Sequence, residues 1–192
     1  MNPPPDKARG RRTLLLLALV ALAPVVASYV AFYWLAPTKR VNYGELLAPA
    51  LAPPVSGIAL GGAPFVLTEL RGRWVLLIAG GADCAAACEQ ALYATRQART
   101  IQGREQDRVV RAWLRPNGAA VPPAALLAAQ PGLISARVEA AALAQLPVQA
   151  QDGVTILLLD PRGTLVLRYD ANPDIKRLAN DLGRLLRTSQ IG

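Results

Sequence analysis

The fold of this chain is decided by residues 74–88, which read WVLLIAGGADCAAAC. Six apolar residues in a row, 74–79, are typical of a strand that is buried on both faces. Gly80 and Gly81 interrupt this run, and the alanine-rich segment 84–102 then predicts a helix. We therefore expect a buried strand, a tight turn and a helix, with two cysteines at the beginning of that helix.

Further along the chain, apolar runs alternate with helical patterns. The predicted strands are 65–67, 74–79, 109–114, 154–159 and 165–169, and the predicted helices are 84–102, 123–129, 139–146 and 173–187. The turn sequence Asp160-Pro161-Arg162-Gly163 indicates that the last two strands pair as a hairpin. A βαβ unit followed by a ββα unit predicts an α/β fold, a thioredoxin-like domain over residues 63–192 with a central mixed sheet flanked by helices.

The composition excludes several classes of protein. Of 192 residues, 53% are hydrophobic and 18% are charged, which excludes a disordered chain. The absence of histidine excludes Ser-His-Asp and Cys-His catalysis, histidine-bound zinc and an imidazole haem ligand. Two cysteines are too few for a disulfide-rich scaffold or a four-cysteine metal site.

The formal net charge is +8, from 21 Lys and Arg against 13 Asp and Glu. No run of basic residues is longer than two, and aromatic residues are not interleaved with them, so we expect no nucleic-acid partner. The basic zone Arg96, Arg99, Arg104, Arg108, Arg111 and Arg115 is interrupted by Glu105 and Asp107, which favours a solvated face over a docking patch.

The segment 14–35 predicts a transmembrane helix, assigned here to residues 13–36. Its 22 residues carry no charge and would span about 33 Å, enough for a bilayer core. Tyr29, Phe32, Tyr33 and Trp34 cluster at its far end, as in an interfacial aromatic belt. The alternative is a cleaved signal peptide, whose apolar region is usually shorter, about 7–15 residues. We therefore expect an uncleaved anchor.

The charges beside this segment predict its orientation. Lys7, Arg9, Arg11 and Arg12 precede it within a basic tail, residues 1–12, whereas only Lys39 and Arg40 follow it closely. The N-terminus should therefore stay in the cytoplasm, and in a bacterium the rest of this single-pass inner-membrane protein would lie in the periplasm. Residues 37–62, rich in Pro, Ala and Gly, are predicted to be a linker.

Cys84 and Cys88 are the candidate catalytic residues. Spacing of i, i+4 places both sulfurs on one face of a helix, with Cα atoms about 6 Å apart, at the upper edge of the disulfide range. The helix N-terminus favours a thiolate, whereas Asp83 opposes it. Cys84 would be the nucleophile and Cys88 the resolving thiol. An inert disulfide, simple packing, or binding of Cu(I) by both sulfurs remain alternatives.

A CxxxC motif after an apolar strand, followed later by Asp160-Pro161-x-Gly163, resembles the Sco/SenC proteins over residues 61–192. The resemblance implies a membrane-anchored protein of thioredoxin fold that assists assembly of the copper site of cytochrome c oxidase. Its expected partners are an oxidase subunit or other assembly factors. The expected chemistry is thiol–disulfide exchange at Cys84 and Cys88, and the alternatives are a non-catalytic module that docks on an oxidase subunit and a two-thiolate Cu(I) carrier.

The sequence departs from that family at three positions. Copper-binding members use both cysteines and a histidine shortly before the last apolar strand, which would fall near Asp152, a hard oxygen donor that suits Cu(I) poorly. The proline that usually follows the first cysteine is replaced by Ala85. The cis-proline of thioredoxin oxidoreductases is also missing, since Gly153 precedes the late strand.

Overall fold

The computed structural model describes residues 7–34, 42–148 and 153–189. The chain divides into two compact units, Met1–Val41 and Asn42–Gly192. Within the first, helix α1 is Lys7–Trp34. Its segment Gly10–Tyr33 has a mean hydropathy of 2.5 and none of it is buried, so the helix is long and apolar enough to cross a membrane. Residues 35 and 36 of the predicted span, and the flanking Lys39 and Arg40, lie outside the described residues.

The described residues of the second unit, 42–148 and 153–189, form an eight-stranded sheet and four helices. The strands are β1 Glu45–Leu51, β2 Ser56–Ala59, β3 Pro64–Val66, β4 Trp74–Gly80, β5 Val109–Pro116, β6 Leu133–Val138, β7 Val154–Leu159 and β8 Thr164–Tyr169. The helices are α2 Ala86–Ile101, α3 Ala124–Ala128, α4 Ala140–Leu143 and α5 Ile175–Thr188, with 3₁₀ turns at Leu67–Leu70 and Gly103–Arg108. The strand order is β1-β8-β7-β4-β5-β6-β2-β3.

The sheet is mixed because β4 runs parallel to β5 and antiparallel to β7. Alternate residues of β4 point to opposite faces of the sheet, as the pleat requires. Leu76 and Ile78 pack with α2 and α5 on one face, whereas Leu77 packs with Leu114 in a second core on the other face. The predicted central mixed sheet flanked by helices is therefore confirmed.

The structure differs from the predicted linker, residues 37–62, because two strands lie within it. Residues 45–51 form edge strand β1, paired with β8, and residues 56–59 form β2, paired with β6. An edge strand tolerates Pro49 because its outer N–H groups need no partner in the sheet. Gly57 is required by close approach, since a Cβ there would lie 2.1 Å from the carbonyl oxygen of Arg137. A composition rich in Pro, Ala and Gly thus concealed two strands, and residues 37–41 lie outside the described residues.

Strand β6 also differs from the prediction. The sequence predicts no strand between the helices 123–129 and 139–146, but β6 follows Pro131 and Gly132 directly and pairs in parallel with β5. The helices on either side, α3 and α4, are only 5 and 4 residues long. The abundance of alanine suggested longer helices, whereas the β-branched and apolar residues of Leu133–Val138 complete the sheet.

Candidate functional site

The turn between β4 and α2 is built on two glycines. Gly80 and Gly81 have φ angles of 103° and 76°, in the left-handed region that glycine adopts without strain. A Cβ at Gly80 would lie 1.9 Å from the carbonyl oxygen of Gly153, and the N–H of Gly81 donates to that oxygen at 3.0 Å. The turn is therefore fixed against the beginning of β7.

Cys84 and Cys88 are joined by a disulfide bond with a Cα–Cα distance of 4.9 Å. This is closer than the regular helical spacing assumed from the sequence because α2 begins at Ala86 and not at residue 84. Cys84 precedes the helix with φ 40°, the only non-glycine residue with positive φ in the described part of the chain. A left-handed backbone at Cys84 therefore accompanies the short Cα–Cα distance, and for a residue with a side chain it costs roughly 1–2 kcal/mol.

The two sulfurs differ in exposure. Cys88 is 1% exposed and packs in the core shared by β4, α2 and α5, whereas Cys84 is partly buried at its margin. A depression of about 400 Å³ opens to solvent beside the disulfide. Its wall includes Asp83, Ala85, Pro116, Leu143 and Val154. A disulfide bordered by a mainly apolar depression is accessible to a partner from the side of Cys84.

Two residues of β5 support this turn. Trp113, fully buried, donates from Nε1 to the carbonyl oxygen of Gly80 at 3.0 Å. The guanidinium of Arg115 lies 5.0 Å from the ring centre of Trp113 and donates to the carbonyl oxygen of Ala120 at 2.7 Å. Burial, and then the charge of Arg137, lower the pKa of Arg115. Sequence reasoning assigned neither residue to the site.

The predicted solvated basic face is wrong for Arg111 and Arg115, which are each 1% exposed. Arg111 donates to the carbonyl oxygen of Leu92 at 2.8 Å and to Oε1 of Gln130 at 2.6 Å. Alternation along β5 was the available signal, because it places both arginines on the face that carries Trp113. Their side chains are therefore parts of the folded interior.

The residues present do not fit the three-ligand copper site of the Sco family. The chain has no histidine, and among the described residues no group of three His, Cys, Asp or Glu could hold a metal ion. Asp152, at the position expected for the histidine, lies outside the described residues. The two sulfurs are joined to each other, and a disulfide offers no thiolate to Cu(I).

Solved structures similar to this chain include Sco proteins and a thioredoxin domain. Yeast Sco1 with copper bound has 18% identity and a TM-score of 0.62, covering 74% of this chain and 96% of that chain. Bradyrhizobium japonicum ScoI with copper bound has 20% identity and a TM-score of 0.55, covering 70% of this chain and 99% of that chain. The thioredoxin domain of a thiol-disulfide oxidoreductase from Bacteroides vulgatus has 17% identity and a TM-score of 0.57, covering 73% and 99%.

These similarities establish the fold. They confirm, for the fold, the resemblance to Sco proteins that the sequence predicted. No curated protein matches the sequence. A family model described as the transmembrane-like, thioredoxin-like, C-terminal domain matches residues 74–189, more than half of the chain. The match begins at β4 and ends with α5, so it includes the disulfide and the elements that position it. The chain therefore belongs to the family of transmembrane-like, thioredoxin-like C-terminal domains.

Proposed function

We propose that this chain is a membrane-anchored, periplasm-facing protein that assists assembly of the copper site of cytochrome c oxidase by thiol–disulfide exchange. The observation that carries the proposal is the pairing of Cys84 with Cys88 beside an open depression. The partner is a cysteine pair of an oxidase subunit or of an assembly factor. The exchange keeps those cysteines reduced, as metal loading requires.

The reaction begins from the reduced form of the chain, which a dithiol reductant generates from the disulfide. The Cys84 thiolate attacks one sulfur of the partner disulfide, so that a mixed disulfide forms and one partner thiolate leaves. The Cys88 thiolate then attacks Cys84, which releases the second partner thiolate and restores the Cys84–Cys88 disulfide. The partner gains two electrons and the chain loses two.

The structure around the sulfurs supports these unequal roles. Both cysteines line the depression, but Cys84 is only partly buried, so a partner disulfide can approach its sulfur, whereas Cys88 is 1% exposed. Ala85, the residue that caps α2, makes no side-chain hydrogen bond to the helix. The positive end of the helix dipole beside Cys84 therefore favours its thiolate.

The membrane position follows from α1 and the charges at its ends. An apolar helix with four basic residues on its N-terminal side and two on the other favours a cytoplasmic N-terminus. The thioredoxin-like domain then works in the periplasm of a bacterium, where cysteine pairs are oxidised unless a reductant acts on them.

A cell-based experiment tests the proposal with the full chain. A strain lacking the protein is complemented with the native chain, Cys84→Ser, Cys88→Ser or Ala86→Ser. Ala86 lies between the cysteines and is exposed, so its replacement introduces the same side chain without removing a sulfur. We expect both cysteine variants, but not Ala86→Ser, to lower oxidase activity and to leave the subunit cysteines oxidised in an alkylation assay. Normal oxidase and thiol states with Cys84→Ser would overturn the proposal.

The reduction potential distinguishes exchange from a static disulfide in a docking module. A structural disulfide has a potential below about −300 mV, whereas an exchange-active pair lies above that value. Equilibration of the full chain in detergent with redox buffers, followed by thiol alkylation, measures the potential. We expect a value above the structural limit, and a value below it would favour the docking module.

A further inference from the structure

Helix α5 carries a continuous cationic stripe on its outer surface. Lys176, Arg177, Asn180, Arg184 and Arg187 fall within an arc of roughly 100°, at about 100° of rotation per residue. Lys176, Arg177 and Arg187 are exposed, and no acidic residue of the helix falls within this arc. Asp181 is buried, and the exposed Asp170 and Asp174 precede the helix and do not belong to the arc. The arc itself therefore carries only positive charges.

The chain that arrives from α1 is fastened against this helix. The N–H groups of Tyr43 and Gly44 both donate to Oδ2 of Asp181 at 2.9 Å. The guanidinium of Arg177 lies 4.3 Å from the ring centre of Tyr43, and Arg184 donates to Oδ1 of Asn42 at 3.4 Å. The entry segment, residues 42–44, is thus held beside the cationic stripe.

The covalent chain limits how far this surface can be from the membrane. Helix α1 ends at Trp34, and the described chain resumes at Asn42, with the seven residues 35–41 between them. Eight Cα–Cα steps span at most about 28 Å when fully extended. If α1 spans the bilayer, Asn42 therefore lies no farther than about 28 Å from the end of that helix.

An exposed apolar side chain lies on the same side of the sheet. Leu46 of β1 is 68% exposed and pairs across the sheet with Leu167. Directly opposed residues of an antiparallel pair point to the same face, and Leu167 packs in the core that contains Leu178 of α5. An aromatic ring, an exposed leucine and several cations on one side of the molecule are the groups that suit a lipid headgroup surface.

We propose that the cationic stripe of α5, with the entry segment, docks on anionic phospholipid headgroups of the membrane in which α1 is anchored. Each Lys or Arg near an anionic surface increases the population of the docked state about five-fold, from roughly 1 kcal/mol per charge. This inference rests on the anchoring part of the proposed function and not on the disulfide chemistry.

Docking of this surface would also position the disulfide. Glu45 of β1 pairs with Arg168, near the end of β8, and Gly80 of β4 pairs with Val154, at the start of β7. The beginning of β1 and the end of β4 therefore lie at the same end of the sheet, three strand spacings apart, or about 14 Å. The docked domain keeps Cys84 and Cys88 near the membrane surface, where a membrane-embedded partner exposes its cysteines.

The test uses the full chain reconstituted in vesicles of phosphatidylcholine alone or of phosphatidylcholine mixed with phosphatidylglycerol. A neutral fluorophore is attached at Asn180→Cys without reductant, so that the native disulfide stays closed. Nitroxide groups on the lipid headgroups quench the fluorophore only at short range. We expect quenching with phosphatidylglycerol, little quenching without it, and loss of quenching at 1 M salt, where the Debye length falls to about 3 Å.

Charge variants locate the contact. Lys176→Gln with Arg187→Gln should reduce the ratio of docked to undocked chain roughly 25-fold. The matched control is Arg71→Gln with Arg137→Gln, which removes two exposed charges, one beside the core on the other face of the sheet and one on β6, and should leave quenching unchanged. Equal quenching in both lipids, or equal effects of the two variants, would overturn the proposal.

Carbonate extraction of the same vesicles distinguishes a failure of the docking proposal from a failure of membrane anchoring by α1. A chain that stays inserted but shows no quenching that depends on phosphatidylglycerol overturns the docking proposal alone. A chain that carbonate removes overturns the anchor and the docking together. Neither result bears on the reduction potential of the disulfide, which is measured separately.

Discussion

Gly81 lies directly against Cys88, because a Cβ at position 81 would stand 3.2 Å from Sγ of Cys88 and 3.0 Å from its Cβ. The same Cβ would lie 3.2 Å from a methyl group of Val154. The backbone of the β4–α2 turn thus covers the inner sulfur, and any side chain at this position would crowd the disulfide.

Gly81→Ala is expected to make the disulfide easier to reduce. In the oxidised chain the bond to Cys84 fixes the sulfur of Cys88, whereas a free thiol can rotate away from the new methyl group. A differential cost of roughly 1 kcal/mol corresponds to a potential about 20 mV less negative. The control is Gly132→Ala, since Gly132 has φ 70° but no atom within 4 Å of its Cβ position. Both variants should lose stability from backbone strain, and only Gly81→Ala should shift the potential; an equal shift in both would contradict the crowding argument.

The unequal exposure of the two sulfurs predicts which variant traps a partner. With Cys88→Ser, attack by Cys84 forms a mixed disulfide that cannot be resolved, so the complex should accumulate. With Cys84→Ser, only the buried Cys88 remains, and it should form little or no complex. Non-reducing gels of membranes after acid quenching and alkylation measure both species. Equal trapping by the two variants would show that Cys88 is reached directly by the partner.

The sequence predicted the central part of the fold because its signals are local there. The apolar runs that form β4, β5 and β7 are buried on both faces, so each run predicts a strand without reference to distant residues. The turn at Asp160 and Gly163 likewise predicts the hairpin that it closes. Edge strand β1 was missed because it is exposed and contains Pro49. Its place in the sheet depends on pairing with β8, far away in the chain, which no local pattern encodes.

The sequence singled out Cys84 and Cys88, which the structure joins in a disulfide, but it did not indicate the geometry around them. The positions of Cys84 and Cys88 after a buried strand identified the pair. The left-handed backbone of Cys84 and the support of the turn by Trp113 depend on tertiary contacts. The burial of Arg115 was not predicted because arginine side chains are usually exposed to solvent. In this structure its guanidinium group lies against the ring of Trp113 instead.

Replacement of Asp181 is expected to release the entry segment from α5. Asp181 is 2% exposed and accepts hydrogen bonds from the N–H groups of Tyr43 and Gly44. Asp181→Leu leaves both donors without an acceptor and should lower the free energy of unfolding by about 3 kcal/mol, whereas Asp181→Asn keeps one oxygen and should cost less. Urea titration of the full chain in detergent, with hydrogen exchange at Tyr43 and Gly44, measures both effects. Unchanged exchange in Asp181→Leu would contradict this role.

The buried Arg111 predicts a rise of stability at alkaline pH. Burial first, and then the charges of Arg96 and Arg99, lower its pKa from the ordinary arginine value to about 9. Between these values the unfolded chain binds more protons than the folded chain, so the free energy of unfolding increases with pH by up to about 1.4 kcal/mol per unit. Arg111→Met should remove this increase, whereas Arg162→Met, at an exposed arginine, should keep it. Equal slopes in the two variants would contradict the assignment.

Tyr169 changes the free energy of unfolding in the opposite direction to Arg111, over an overlapping range of pH. Burial first, and then the charge of Asp181 and the hydrogen bond to it, raise the pKa of Tyr169 above its ordinary value of 10.0. Above that pH the unfolded chain loses the phenolic proton while the folded chain keeps it, so the free energy of unfolding decreases as pH rises. Tyr169→Phe should therefore make the free energy of unfolding rise more steeply with pH above that value.

At neutral pH the cost of Tyr169→Phe should be small, about 0.5–1 kcal/mol, because the hydroxyl donates to Asp181 over a long distance of 3.3 Å. Tyr93→Phe is the control, since Tyr93 is exposed and its replacement should leave the dependence of stability on pH unchanged. Urea titrations of the full chain at a series of alkaline pH values measure the slopes. Because Arg111 and Tyr169 contribute slopes of opposite sign, the double variant Arg111→Met/Tyr169→Phe should be less dependent on pH than either single variant. A double variant as steep as Arg111→Met alone would mean that Tyr169 ionises freely in the folded chain, and that its ring is not closed off from solvent by α5 and the entry segment.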